Sequence, residues 1–185
     1  MDGIAAAWKR ERPDVDVAPL LLLGRLFRAA ALLAPKPPAL SQVEAAALPM
    51  PGLSAWQGMV VHGRLQRGER VCVTGAAGGV GHVAVQLAQA LGATLVPEGE
   101  PCDLLFDTAG RARGDAGRIV TVADEAPGAT YFVVRPDGAQ LAELAELGLR
   151  PQVDSTFPLA DFEAAFARCA ARGKRGKVVL RVHES

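Results

Sequence analysis

The chain has 185 residues, half of them hydrophobic, which suits one domain with a buried core and a short appendage. Lysine plus arginine and aspartate plus glutamate number 20 each, so no net field draws the chain to nucleic acid or to an anionic membrane. Cys72, Cys102 and Cys169 stand far apart with no CxxC pair and no histidine cluster; this argues against a disulfide framework and a structural zinc site, predicts no metal, and fits a reducing cytoplasm.

Residues 1–34 read as a helical arm. Its most apolar stretch, "APLLLLGRLFRAAALLA", is broken by Arg25 and Arg28 and lacks the order of a leader, so it is read as an amphipathic helix rather than a spanning helix or signal peptide. Pro19 suits the first turn of that helix, and Leu22, Leu26, Ala29 and Leu33 then fall on one face. The spacing in "WKRERPDVDVAPLLLLGRLFR" resembles the N-terminal helix of MarR-type regulators, which packs the dimer in that family. Nothing afterwards resembles their recognition helix or wing, so a DNA-binding regulator is the weakest reading. Two outcomes for the arm stay open: a homodimer through this helix, or an arm that covers an apolar face of the main domain.

"PKPPAL", residues 35–40, marks the boundary, because repeated prolines favour extended backbone. Beyond it Ser41 and Glu44 stand at capping-box spacing, and a second helix is expected from about Ser54. The turn "QRGER" leads into the strand "VCVTG", a glycine cluster, and the helix "VGHVAVQLAQALG", whose Val80, Val83, Ala84, Leu87, Ala88 and Leu91 make an apolar stripe. Aligned on Gly78 and Gly81, the cluster fits GxGxxG except that the first position is Ala76. In that fingerprint the first glycine makes the tight turn, the second admits a pyrophosphate to the backbone, and the third lets helix and strand pack closely. A glycine-rich strand-to-helix turn that binds nothing is the bland alternative.

Only "PEGEP" then separates the strands "ATLV" and "CDLLFD". Parallel neighbours need a crossover of a dozen or more residues, so this link predicts a hairpin or a bend, not a parallel crossover with its own helix. In "DTAGRARGDAGRIVTV" the next link leaves room for little more than one helical turn. The dinucleotide half-site is therefore reduced, and the adenosine end of a cofactor poorly enclosed. His62, His82 and His183 have no ligand or triad spacing, Tyr131 reads as a strand residue at an edge, and "RGKRGK" as a solvated basic turn before the last strand.

Several of these segments, together with "FDTAG", "GRIVTVA", "YFVVRPDGAQLAELAEL" and "FPLADFEAAFARCAARGKRGKVVLRV", resemble the medium-chain dehydrogenase/reductase superfamily, and within it the zinc-independent NADPH:quinone oxidoreductases. The resemblance covers residues 35–185. It implies an α/β, Rossmann-like fold with a mostly parallel sheet, here shortened and preceded by the helical arm. It also implies NADP(H) binding, with Gly78, Gly79, Val80 and Gly81 along the pyrophosphate, Ser54 where the family has a threonine near the nicotinamide, and Thr108, Phe132 and Val133 flanking the ribose and nicotinamide. The implied activity is hydride transfer to a quinone or enone, a small-molecule substrate, with no nucleic acid or membrane partner. The family's GroES-like substrate domain and the segment that reads the adenosine ribose have no counterpart, and no catalytic residue is assigned. A non-redox protein built on a reduced Rossmann core is the alternative. Glu98, about twenty positions beyond the glycine turn, stands where NAD(H) sites hold a ribose 2′-hydroxyl, so NAD(H) competes with NADP(H); Arg111 and Arg113 are the residues able to favour the phosphate.

Overall fold

The structure, a computed structural model, describes residues 34–111 and 114–182. The arm up to Leu33, Arg113 and His183 lie outside the described residues. Helix α1 (Gln42–Ala47) starts on the predicted capping box: the Glu44 N–H donates to Ser41 Oγ at 3.2 Å and the Ser41 N–H to Glu44 Oε2 at 2.8 Å. Helix α2 (Pro49–Trp56) begins earlier than the expected Ser54, because Pro49 occupies the first turn, where a missing N–H costs nothing. It runs on as a π-helical turn, Gln57–His62. Gly58 in that turn lies flat on the Phe106 ring, and a Cβ there would overlap it.

Five strands form one parallel sheet in the order β2-β1-β3-β4-β5: β1 (Arg70–Thr74), β2 (Thr94–Val96), β3 (Cys102–Asp107), β4 (Ala116–Thr121) and β5 (Thr130–Tyr131). The expected α/β, Rossmann-like, mostly parallel sheet is thus present. Helix α3 (Gly79–Ala90) connects β1 to β2, with Val83, Ala84, Leu87 and Ala88 fully buried on the predicted stripe and Val80 and Leu91 half-buried at its margin.

The expected hairpin or bend at "PEGEP" is corrected. The five residues 97–101 complete a parallel crossover, without a helix, that carries the chain from one side of β1 to the other. The register explains how. Val96 pairs with Cys72 and Leu104 with Val71, so the link drops roughly 10 Å along the strands while crossing two strand spacings, also roughly 10 Å. The diagonal is about 14 Å, within the reach of about 17 Å for five extended residues. The shortness of β2 makes the helix dispensable. The link from β3 to β4, residues 108–115, likewise carries no helix among its described residues.

Among the described residues, helices pack against one face of the sheet. Val71, Val73, Leu104, Phe106 and Val120 meet Leu53, Met59, Val83, Leu87 and, from α4 (Gly138–Glu146), Leu144 in a single core. Cys72 and Leu105, 1% and 3% exposed, are buried outside that core, at the alternate positions of β1 and β3. The chain ends its described part in a separate two-stranded parallel sheet, β6 (Val153–Pro158) and β7 (Lys177–Arg181), joined through α5 (Phe162–Ala170). This unit touches α1 and meets the glycine turn through a bridge between Gly78 and Gly176. Among the described residues no helix is long and apolar enough to cross a membrane.

Candidate functional site at the switch point of the sheet

Helix α3 leads from β1 to β2 on one side, while β3 lies on the other. The strand order reverses between β1 and β3, and in open α/β sheets ligands bind outside the carboxyl ends of the strands at such a point. A cavity of about 320 Å³ opens there, lined by Gly75, Ala77, Gly78, Gly79, Val80, Thr108 and Ala109. The structure thus brings Gly78, Gly79, Val80 and Thr108 together, with Gly81 buried beside them.

Each glycine has a separate reason. Gly75 has φ +66°, a left-handed conformation, and a Cβ there would stand 2.9 Å from Thr108 Oγ1. The tight turn expected at Ala76 is therefore made one residue earlier. A Cβ on Gly81 would overlap the Gly75 carbonyl oxygen, so helix and turn pack in direct backbone contact. Gly78 caps α3 in extended conformation and offers no side-chain cap, leaving first-turn N–H groups available to an anion.

The carboxyl ends of the strands are locked by Asp107, which is fully buried. It accepts from Thr74 Oγ1, from the N–H groups of Ala109 (3.1 Å) and Arg111 (3.0 Å), and from Thr121 Oγ1 (3.2 Å). Burial pushes this carboxyl up, but the hydrogen bonds from Thr74, Arg111, Ala109 and Thr121 outweigh it and hold it below the usual aspartate value. Thr108 Oγ1 donates to the Thr74 carbonyl at 2.7 Å, tying the rim of the cavity to β1.

Two lysines complete the cavity. Lys174 and Lys177 both line it, and a Cβ on Gly79 would lie 2.6 Å from Lys177 Cδ. The "RGKRGK" turn, expected to be merely solvated, is instead folded onto the glycine turn. Asp154 on β6 holds it there: the carboxylate takes both Nε and an η nitrogen of Arg168, at 2.7 and 2.6 Å, and the Arg175 N–H at 2.9 Å. Arg168, then Arg175, hold the Asp154 carboxyl far below its usual range. Glu98 Oε1 accepts from the Gly75 N–H at 3.4 Å and from Arg111 at 3.1 Å.

The other expected site residues lie elsewhere. Ser54 is buried in α2 and donates to the Met50 carbonyl at 2.8 Å; it does not line the cavity. Phe132 and Val133 border a second cavity of about 680 Å³ beside the edge strand, together with Tyr131. Phe132 is buried against His62, ring centroids 4.5 Å apart, whereas Val133 is exposed. Gln57 pins this segment, donating to the Arg135 carbonyl (2.8 Å) and accepting the Arg135 N–H (2.9 Å). Its signal in the sequence is a glutamine in an otherwise apolar helix.

A model of the family described as zinc-binding dehydrogenase matches residues 72–180. Among the described residues no three His, Cys, Asp or Glu side chains come together to hold a metal ion, so they do not fit a zinc ion. The spectinabilin polyketide synthase system protein NorB of Streptomyces orinoci is 44% identical over 91 residues, 49% of this chain and 4% of that protein. A probable mitochondrial zinc-binding oxidoreductase of Arthroderma benhamiae is 27% identical over 81% of this chain and 65% of its own length. The chain thus spans less than two thirds of either curated relative. The quinone oxidoreductase of Thermus thermophilus, whose structure was solved alone and with NADPH, superposes with a TM-score of 0.66 at 27% identity, covering 80% of this chain and 68% of that one. With its motifs in order along the parallel sheet, the chain belongs to the zinc-binding dehydrogenase family of the medium-chain dehydrogenase/reductases.

Proposed function

We propose that the chain binds a nicotinamide dinucleotide by its diphosphate at the switch-point cavity and works as an oxidoreductase of the quinone oxidoreductase type. One observation carries this reading: three closely packed glycines, the uncapped first turn of α3 and the side chains of Lys174 and Lys177 converge on one cavity. When bound, the dinucleotide supplies a hydride donor, and a quinone or enone is the acceptor class. The chain's own part is to hold and orient. First-turn N–H groups and both lysines neutralise the diphosphate, while Thr108 shapes the rim beside it. Gln57 fixes the backbone at Arg135, next to the Phe132–Val133 segment that the family resemblance puts at the nicotinamide.

The cofactor choice follows from Glu98, just after β2 where a ribose 2′ substituent is read, and Arg111, just after β3, which pairs with it. Glu98 favours a hydroxyl and Arg111 a phosphate, and each occupies the other. NADH and NADPH therefore bind with similar affinity, and loosely, because the link 97–101 carries no helix and leaves the adenosine side open.

Fluorescence titration with NADPH and NADH, followed by quinone-dependent oxidation of the bound cofactor, tests this. Gly78→Val is the matched control, since Gly78 has an extended backbone and its nearest Cβ neighbour is the Gly75 carbonyl oxygen at 3.2 Å. The variant keeps the fold and loses binding at least tenfold. Equal affinity in both proteins dismisses the site, and binding without turnover overturns the oxidoreductase reading in favour of a non-redox binding role.

A further inference from the structure

The second cavity lies on the row of strand ends that begins at the glycine turn. Thr74 pairs with Asp107, Asp107 with Thr121 and Thr121 with Tyr131, and each is the last residue of its strand. From β1 to β5 that row crosses three strand spacings, roughly 14 Å. At its far end the cavity of about 680 Å³ opens between Tyr131 and the π-helical turn, outside the carboxyl ends where such sheets bind ligands, and its volume suits a small molecule. Val61, Tyr131 and Val133 give it exposed apolar walls, and the paired rings of His62 and Phe132 add flat faces. Its polar side is rich in donors. Gln57 Oε1 accepts the Arg135 N–H (2.9 Å), Gln140 Oε1 accepts from Gln57 (2.8 Å), and Asp137 Oδ1 accepts the Gln140 N–H (3.0 Å), so these acceptor oxygens are in use. The Tyr131 hydroxyl and the Gln140 amide N–H groups remain to donate. Arg135 and Asp137 carry opposite charges, which gives an ion of either sign little advantage.

We propose that this cavity seats a neutral, planar ring bearing carbonyl oxygens, a quinone rather than an open-chain enone, and that it is the acceptor site of the oxidoreductase reading, on which the inference rests. A flat ring covers the apolar walls and lies against the aromatic faces, which an open chain does not fill. Its carbonyl oxygens take the donors of Tyr131 and Gln140. The row of strand ends supplies the spacing. With the diphosphate at the end of β1, ribose and nicotinamide lie along the ends of β3 and β4, and the acceptor sits beyond them at β5. There the quinone takes one hydride from the bound dinucleotide and one proton from solvent, and leaves as the hydroquinone. The paired bonds between Gln57 and Arg135 hold the wall in shape before the ring arrives.

Equilibrium dialysis of the full chain with duroquinone, in the absence of cofactor, tests the seat; the fully methylated ring of this quinone resists thiol addition by the exposed Cys169. The wild type binds duroquinone, and binds mesityl oxide, an open-chain enone, about tenfold more weakly. Val61→Asp, which puts a charge on an exposed apolar wall, and Tyr131→Ala each weaken duroquinone binding about tenfold. Unchanged NADH affinity in Val61→Asp shows that this variant is folded. In turnover with NADH the KM for duroquinone rises in both variants. Absence of duroquinone binding overturns the proposal. So does binding that both variants keep, which means a seat elsewhere, and so does equal affinity for mesityl oxide or an unchanged KM. The dinucleotide reading fails separately: a chain that binds duroquinone at this seat but not NADH refutes that reading and leaves the ring's seat standing.

Discussion

Replacing Asp107 with alanine removes the one acceptor that joins the ends of β1, β3 and β4. The hydroxyls of Thr74 and Thr121 are both buried, 2% and 0% exposed, and lose their acceptor with no water to replace it. An orphaned buried donor costs about 1–3 kcal/mol. The N–H groups of Ala109 and Arg111 belong to exposed residues and return to water, adding little. The sum is about 4 kcal/mol, a large share of the roughly 5–15 kcal/mol that a domain has in total. For a chain of this size the melting temperature falls by about 8–16 °C. Asp107→Asn keeps one oxygen for Thr74 and the two N–H groups and loses only the Thr121 bond, so it costs about 1–2 kcal/mol. Urea unfolding of both variants without cofactor measures this. A loss under 1 kcal/mol for the alanine variant, or equal losses for the two, refutes the account. The asparagine variant also tests the sign of the pH effect. Because the folded carboxyl is held below its ordinary value of 3.8, its stabilising contribution is present above that pH and lost as pH falls through the folded value. The acid limb of wild-type stability is therefore steeper than that of Asp107→Asn.

Three further outcomes are expected. Gly58→Ala forces a methyl into the Phe106 ring, both groups being fully enclosed, and lowers stability by about 2–3 kcal/mol in urea unfolding; Phe106→Leu in the same chain recovers part of it, and additive losses count against the contact. Glu98→Gln raises the NADPH-to-NADH affinity ratio about fivefold and Arg111→Ala lowers it by a similar factor, read by titration, whereas a wild-type ratio above tenfold for NADPH sinks the balanced pair. Asp154→Asn loosens the 171–177 turn and weakens NADPH binding severalfold at neutral pH; in the wild type the Asp154 contribution is present above about pH 4 and lost below it as the depressed folded value is approached, so an acid limb identical in both proteins contradicts the clamp.

The strand, the glycine turn, the helix after it and the capping box are legible because their signals are local: a period, a spacing, a pair of residues three apart. The position of the tight turn is less so. Ala76 holds the motif's first place by counting, but the backbone turns at Gly75, since only φ decides where a Cβ is intolerable. The parallel crossover at 97–101 is hidden for another reason. Its feasibility depends on how far along β1 the short strand β2 stops, and that register belongs to the sheet, not to either strand. Lys174 and Lys177 are misread as solvated because nothing in "RGKRGK" points to a glycine turn nearly a hundred residues earlier. Gln57 is visible only as a polar interruption, its partner Arg135 lying 78 residues away.

The bridge between Gly78 and Gly176 has a consequence for how the site comes into being during synthesis. One wall of the switch-point cavity is made by residues close to the far end of the described chain, a loop closure of 98 residues by subtraction of the two positions. A nascent chain that has delivered the whole five-stranded sheet still lacks that wall. Contacts of such separation form late, after local helices and neighbouring strands have settled. On the proposed reading a cofactor binds firmly only once β7 has come home, and its stabilising effect reaches the finished fold and not its precursors.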